Sequence, residues 1–238
     1  MLIIYKKVGG ILKKVISIVL ALCLSGCTVL DIFTGNKNNH SMNSTQDNTE
    51  TTADSKNEIG TVNPDNIDQK FYLYYYEQLT QTQKEAYLDL YQALQNQSAV
   101  YELKTPTSIK DFNIAFYAFE YDFPEAFWMW NYRYLSNDED KITRLQFNVP
   151  SDLSTTMAQV DQVVDQVVND VKGASDYEKI KYFYEWIINW TVYQRNQCEQ
   201  DLTGVFLLRQ SVCGGYSKAF QYLCKKAGIK CTYVLGMT

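Results

Sequence analysis

Residues 211–236 read SVCGGYSKAFQYLCKKAGIKCTYVLG, and this stretch decides the fold. Its apolar residues recur at helical spacing, which predicts a helix with one buried face. Lys225 and Lys226 stand in the last turn, and Gly228 is expected to end the helix in the left-handed conformation. Residues 229–235 are predicted to form a strand that leaves the helix. The buried face is expected to hold Tyr216, Ala219, Phe220, Leu223, Cys224 and Ala227.

A cysteine stands at the predicted start of this helix. Cys213 would lie at the positive end of the helix dipole, and Gly214 and Gly215 are expected to leave open space beside it for an incoming carbonyl group. Both features favour a nucleophile. Alternatively, Cys213 is a small apolar side chain buried at a helix start. The flanking residues together favour the nucleophile; they are Val212, Gly215, Tyr216 and Ala219.

Two more helices are predicted ahead of the cysteine segment. The capping pattern Ser175-x-x-Glu178 opens one of them, and a polar loop over residues 194–203 separates it from Cys213. The other is expected to stop at Gly173. The inward faces are expected to hold Met157, Val160, Val164, Val167 and Val171 in the first helix, and Ile180, Phe183, Tyr184, Ile187 and Thr191 in the second.

Residues 67–150 are predicted to combine helices with a β-hairpin. Thr80-x-x-Gln83 and Ser108-x-x-Asp111 each open a helix, and Pro124 ends the second. Residues 128–135 and 141–149 flank a polar turn, which favours a hairpin. We place the domain boundary near Pro150. The expected inward residues are Tyr87, Leu90, Tyr91 and Leu94, then Ile109, Phe112, Phe116, Phe119 and Phe123, then the alternating Thr143, Leu145, Phe147 and Val149.

The cysteine segment and the residues before it resemble the transglutaminase-like superfamily, whose papain-related folds begin a helix with the catalytic cysteine. The resemblance covers roughly 60 residues, and combined motifs are more specific than a lone cysteine. Ser211 departs from the pattern, because many relatives carry glycine there. Residues 122–128 also resemble the segment that precedes such domains in lipoproteins of Gram-positive bacteria. The matching residues are Asp176-Tyr177-Glu178-Lys179-Ile180, Tyr193, Val212-Cys213-x-Gly215-Tyr216-Ser217-x-Ala219-Phe220, Ala227-Gly228-Ile229 and Val234-x-Gly236.

The resemblance implies a reaction in which Cys213 attacks an amide carbonyl. A histidine on the following strands would take and return the proton, and an Asp or Asn would orient that histidine. The single histidine of the chain, His40, lies far upstream, and Thr238 falls before the position where those partners are due. We therefore expect residues 151–238 to be a partial domain that is inactive by itself. Three carboxylates are conceivable acid–base partners, but each is expected instead to cap a helix or to lie in a solvated loop: Asp176, Glu199 and Asp201.

The N-terminal residues 1–26 are typical of an export signal. Four lysines precede a ten-residue apolar run, residues 15–24, which as a helix would rise about 15 Å, roughly half the hydrocarbon thickness of a bilayer. The next residues, Leu24-Ser25-Gly26-Cys27, resemble a bacterial lipobox. The resemblance implies cleavage before Cys27 and its lipidation. The alternatives are an ordinary signal peptide with an incidental cysteine, or a short uncleaved anchor.

A lipid anchor on Cys27 would hold the protein at the extracytoplasmic face of the cell membrane. Residues 27–66 are rich in Asn, Ser, Thr and Asp and are expected to form a disordered linker. Without residues 1–26 the chain keeps 18 basic and 27 acidic residues, a formal charge of −9. This acidity argues against nucleic acid as a partner.

The sequence gives weaker evidence for a role of the other cysteines. Cys224 is expected to pack in the core. Cys198 and Cys231 are candidates for a disulfide in an oxidising exterior, but four cysteines allow three connectivities. No C-x-x-C pair is present and the one histidine lies in the expected linker, so no metal site is expected. No cofactor is expected either.

Together these observations predict an α+β protein: a helical and β-hairpin region, then an incomplete papain-like, transglutaminase-like core. The predicted function is cysteine acyl transfer or peptide-bond hydrolysis on a protein or peptide at the cell surface. One alternative is a surface module that binds peptide or cell-wall material without turnover. Another is a site completed by a separate chain along an open sheet edge. Uncovered apolar faces at Tyr233 and Leu235 are expected to lower stability.

Overall fold

The structure, a computed structural model, describes residues 72–236 and the backbone of two short antiparallel strands, β1 (Leu2–Ile4) and β2 (Ser17–Val19). The remainder of the expected signal segment, Cys27 and the expected linker lie outside the described residues. The chain divides between Ser154 and Thr155 into two compact units. Helices and small sheets occur together, which confirms the α+β class. Of the helices that the structure describes, none has both the length and the apolar character needed to cross a membrane.

In the unit that ends at Ser154, a 3₁₀ turn (Tyr76–Gln78) precedes helices α1 (Gln81–Gln95) and α2 (Ile109–Asp122). Both predicted helix starts are confirmed: the Gln83 side chain accepts from the Thr80 N–H at 3.1 Å, and the Ser108 hydroxyl accepts from the Asp111 N–H at 3.1 Å. The expected phenylalanine stripe is buried, but Ile109 at its start is 40% exposed.

A three-stranded antiparallel sheet completes this unit, with strand order β3 (Val100–Ser108), β5 (Lys141–Phe147), β4 (Tyr132–Ser136). The hairpin is confirmed, but its first strand begins four residues later than predicted because Pro124–Trp130 forms a 3₁₀ segment. The predicted alternation is wrong at its start: Ile142 is fully buried. The register shifts between Ile142 and Arg144, and such a bulge changes which face the following side chains occupy.

The unit that begins at Thr155 holds all but the first two residues of helix α3 (Leu153–Asp170), and helix α4 (Asp176–Trp190). The predicted inward faces are confirmed at Val160, Val164 and Val167, and at Phe183, Ile187 and Thr191. Gly173 has a φ of +90° in the turn between the helices, where a residue without Cβ is favoured.

The start of α4 has the predicted capping box. The Ser175 hydroxyl accepts from the Glu178 N–H at 3.4 Å, and the Glu178 carboxylate accepts from the Ser175 N–H at 2.8 Å.

We expect Ser175→Ala to lower the free energy of unfolding of this unit by about 1 kcal/mol, because alanine satisfies no donor at the helix start. Urea unfolding followed by circular dichroism measures the change. An unchanged midpoint would show that solvent replaces the cap at no cost.

A short helix α5 (Leu202–Phe206) and two parallel strands, β6 (Val192–Tyr193) and β7 (Gln210–Ser211), lead into helix α6 (Cys213–Lys226). The predicted start of α6 is confirmed, and Gly228 ends the helix with a φ of +71°. Of the predicted buried face, Ala219, Phe220, Leu223 and Cys224 are buried, whereas Tyr216 and Ala227 are half-buried.

The strand predicted over residues 229–235 is wrong, because within the described residues this segment makes a single isolated bridge, at Thr232. Strands require a paired backbone. Tyr233, which was expected to be uncovered, is buried, whereas Leu235 is 45% exposed.

Candidate active site at the start of helix α6

Cys213 is the first residue of α6, and its side chain is exposed. The preceding residue, Val212, is the N-cap and has no side-chain acceptor for the free N–H groups of the first turn. Those groups have no carbonyl partner within a helix and carry the positive end of its dipole. An accessible thiol therefore lies beside backbone donors that favour negative charge, as the sequence predicted.

The two glycines after Cys213 face the loop that contains Glu199, Gln200 and Asp201. A Cβ at Gly215 would overlap the Ser211 hydroxyl and would lie 2.8 Å from the carbonyl oxygens of Glu199 and Asp201. A Cβ at Gly214 would overlap the side-chain amide of Gln200. The expectation of open space is therefore wrong: these glycines let a loop pack closely against the helix.

Hydrogen bonds fix that loop to the segment before the helix. The Ser211 hydroxyl donates to the Glu199 carbonyl at 2.7 Å, and the Val212 N–H donates to the same carbonyl at 3.1 Å. Asn196 supports the same loop, because its amide donates to the Gln210 carbonyl at 2.6 Å and its side-chain oxygen accepts from the Cys198 N–H at 2.7 Å. The backbone around Cys213 is thus held from one side.

The short parallel strands fix the other side. Their ladder continues through the Gln194 N–H, which donates to the Ser211 carbonyl at 3.0 Å. The Tyr216 hydroxyl donates to the Thr191 carbonyl at 2.7 Å, and its ring lies 5.9 Å from the Tyr193 ring. Tyr193, which the resemblance singled out, is 57% exposed. Tyr216 therefore ties the first turn of α6 to the end of α4.

A stack of rings and a guanidinium supports the start of β7. The rings of Trp186 and Trp190 stack at 4.9 Å, and the Arg209 guanidinium lies 3.7 Å from the centre of the Trp190 ring. Arg209 has a φ of +56°. The Trp190 indole N–H donates to the Val205 carbonyl at 3.2 Å, which joins α4 to α5.

The three conceivable carboxylate partners have other roles. Asp201 caps α5 by accepting from the N–H groups of Thr203 at 2.8 Å and Gly204 at 3.4 Å, as expected. Burial raises the pKa of Asp201 despite these hydrogen bonds and the nearby charge of Lys218. Asp176 is the first residue of α4. Glu199 contributes its backbone carbonyl to the loop.

Residues 72–236 contain no histidine, and His40 lies outside the described residues. In the same part of the chain, no three His, Cys, Asp or Glu side chains are arranged to hold a metal ion. The site thus consists, among the described residues, of an exposed thiol and the backbone donors of a helix start.

The structure adds two residues that sequence reasoning missed. Gln200 lies against Gly214, and Ser211 supports Gly215. Ser211 departs from the family pattern, and that departure is the sequence feature that could have indicated its role, because its hydroxyl occupies the space beside Gly215. No feature of the sequence indicated Gln200, because its contact with Gly214 depends on how the loop folds.

The Cys224 thiol is buried as predicted. Burial raises the pKa of Cys224 well above its usual range. A hydrogen bond with the Cys231 thiol and the charge of Cys231 raise this pKa further. Among the described residues, Cys198, Cys213, Cys224 and Cys231 all have free thiols.

A search of curated proteins found no match to the chain. A family model does match: residues 162–238, which include α4, the two parallel strands and the Cys213 helix, match the transglutaminase-like superfamily.

Proposed function

We propose that Cys213 is the nucleophile of a cysteine-dependent acyl-transfer or peptide-bond hydrolysis site. The observation that carries the proposal is the exposed thiol at the first residue of α6, inside the segment that matches the transglutaminase-like superfamily. A helix start leaves backbone N–H groups free to bind an oxyanion.

In the proposed reaction the Cys213 sulfur bonds to the carbonyl carbon of the substrate. The carbonyl π electrons move to oxygen, which the uncapped N–H groups at the start of α6 stabilise. Collapse of this intermediate breaks the carbon–nitrogen bond, and the leaving amine takes a proton. Water or a second amine then releases the acyl group from sulfur. The proton carrier is a group outside residues 72–236, since that part of the chain has no histidine.

The proposed location is the extracytoplasmic face of the cell membrane, with Cys27 as the lipid-bearing residue. The support is the basic segment, the short apolar run and the quartet that ends at Cys27. A protein or peptide at the cell surface is the proposed substrate class. The acidic composition of the chain supports such a partner over nucleic acid.

The second candidate is a surface module that binds peptide or cell-wall material without turnover. The observation that favours it is the lack of a histidine in residues 72–236. The two candidates differ in what they require of Cys213: enzymes need a reactive thiol, whereas binding requires none.

Iodoacetamide alkylation distinguishes the two candidates. We expect Cys213 in the folded chain to react faster than in the urea-unfolded chain, because its exposed thiol lies at a helix start, a setting typical of reactive cysteines. The four described cysteines fall on separate tryptic peptides, so mass spectrometry follows each rate.

Cys198, which is half-buried and not at a helix start, is the matched control and is expected to react more slowly when folded. Cys213→Ala should remove the fast phase while leaving the other rates unchanged. Equal rates for folded and unfolded Cys213 would contradict the nucleophile and favour the binding module.

A further inference from the structure

The C-terminal end of α6 brings two cysteines together. Gly228 reverses the chain with a pair of hydrogen bonds: the Ile229 N–H donates to the Cys224 carbonyl at 2.8 Å, and the Gly228 N–H donates to the Lys225 carbonyl at 3.1 Å. This is the Schellman arrangement of a helix end. The segment after it therefore returns alongside the last turn of the helix.

Cys231 lies on the returning segment. Its thiol shares a hydrogen bond with the Cys224 thiol, which is 1% exposed, while Cys231 itself is half-buried. Ile229 is buried as well and helps to fix the segment. The two thiols are thus neighbours across a turn whose backbone is hydrogen-bonded.

The other two cysteines lie at the opposite end of the helix. Cys213 begins α6 and is eleven residues before Cys224, a separation of about 16 Å along the axis. Cys198 belongs to the loop whose residues 199–201 contact Gly214 and Gly215 at that same end. The pairing of Cys198 with Cys231 that the sequence left open is therefore ruled out by distance.

We propose that Cys224 and Cys231 form an intrachain disulfide when the protein meets a small-molecule or protein disulfide. Cys231, the more exposed thiol, attacks the oxidant first: the oxidant S–S bond breaks, a mixed disulfide forms and one thiol leaves with the proton. Cys224 then loses its proton and attacks the Cys231 sulfur, which displaces the second thiol. The protein loses two electrons and two protons, and the oxidant gains them.

The burial of Cys224 sets the rate of the second step. Because its pKa is raised, little of it is thiolate near neutral pH, and the fraction grows as pH rises. Closure of the disulfide should therefore accelerate with pH. Once closed, the bond would fix the segment after α6 to the helix, and the melting temperature of the oxidised chain should exceed that of the reduced chain.

The test uses the full purified chain, reduced and then treated with oxidised glutathione. Lys225, Lys226 and Lys230 place tryptic cuts between the two cysteines, so a disulfide keeps two otherwise separate peptides together. We expect most of the chain to yield a peptide pair two hydrogen masses below the summed masses, joined through Cys224 and Cys231. Reducing agent should separate the pair.

Two variants show which cysteines form the disulfide. Cys198→Ser should retain the linked pair, and Cys231→Ala should lose both the pair and the shift in melting temperature. Cys231→Ala also avoids changing the buried Cys224, whose replacement risks misfolding. A link through Cys198 or Cys213, or glutathione retained on Cys231 beside a free Cys224, would overturn the proposal. These outcomes are independent of whether Cys213 is a nucleophile.

Discussion

Gly215→Ala is expected to destabilise the unit that begins at Thr155 by about 3 kcal/mol. The new Cβ would overlap the Ser211 hydroxyl and press on two backbone carbonyls at 2.8 Å. Ser211 is fully buried and donates to the Glu199 carbonyl, so it has no free space to enter. Overpacking of a tight contact costs about 1–3 kcal/mol, and the lost hydrogen bond adds about 1 kcal/mol. Urea unfolding measures the change in the free energy of unfolding.

Gly214→Ala is the matched control, because it adds the same methyl group to the neighbouring residue. There the Cβ meets the end of the Gln200 side chain, which rotates away, and alanine favours the helix over glycine. We expect a change within about 0.5 kcal/mol. If both variants unfold at the same urea concentration, the loop does not pack against α6 as described.

The local patterns that were read correctly share one property: a few neighbouring residues determine each of them. Gly228 ends α6 because glycine accepts positive φ, and Ser175 begins α4 because its hydroxyl reaches an N–H three residues on. The position of Cys213 followed from the same periodicity. None of these features depends on a distant segment.

The missed features depend on distant segments. Strand β3 contains Pro106, which argues against a strand, and its register with β5 is interrupted between Glu102 and Thr107, where that proline is accommodated. The register of β5 with β4 also shifts between Ile142 and Arg144, next to the buried Ile142. Near Cys213, the loop that fills the space beside Gly215 is held by hydrogen bonds that span up to 14 residues. Periodicity within one segment carries no information on such contacts.

The chain alone is expected to cleave a peptide amide at no measurable rate. An activated ester, such as a p-nitrophenyl ester, is expected to acylate Cys213 in a single burst. The amide nitrogen leaves only when it is protonated, and a positioned acid–base group contributes about 10²- to 10⁴-fold. Because p-nitrophenolate leaves without a proton, the ester reaction needs the nucleophile alone. The burst is read from p-nitrophenolate release and from the mass of the Cys213 peptide.

Added imidazole tests whether the missing acid–base group is what limits the site. Imidazole diffusing to the exposed Cys213 should raise the turnover of the ester after the burst, since it can activate the water that releases the acyl group. Cys213→Ala corrects for the direct reaction of imidazole with the ester and should show neither burst nor rescue. Amide cleavage that disappears in Cys213→Ala would mean that this chain already holds its own base, and the proposed dependence on an outside proton carrier would then be wrong.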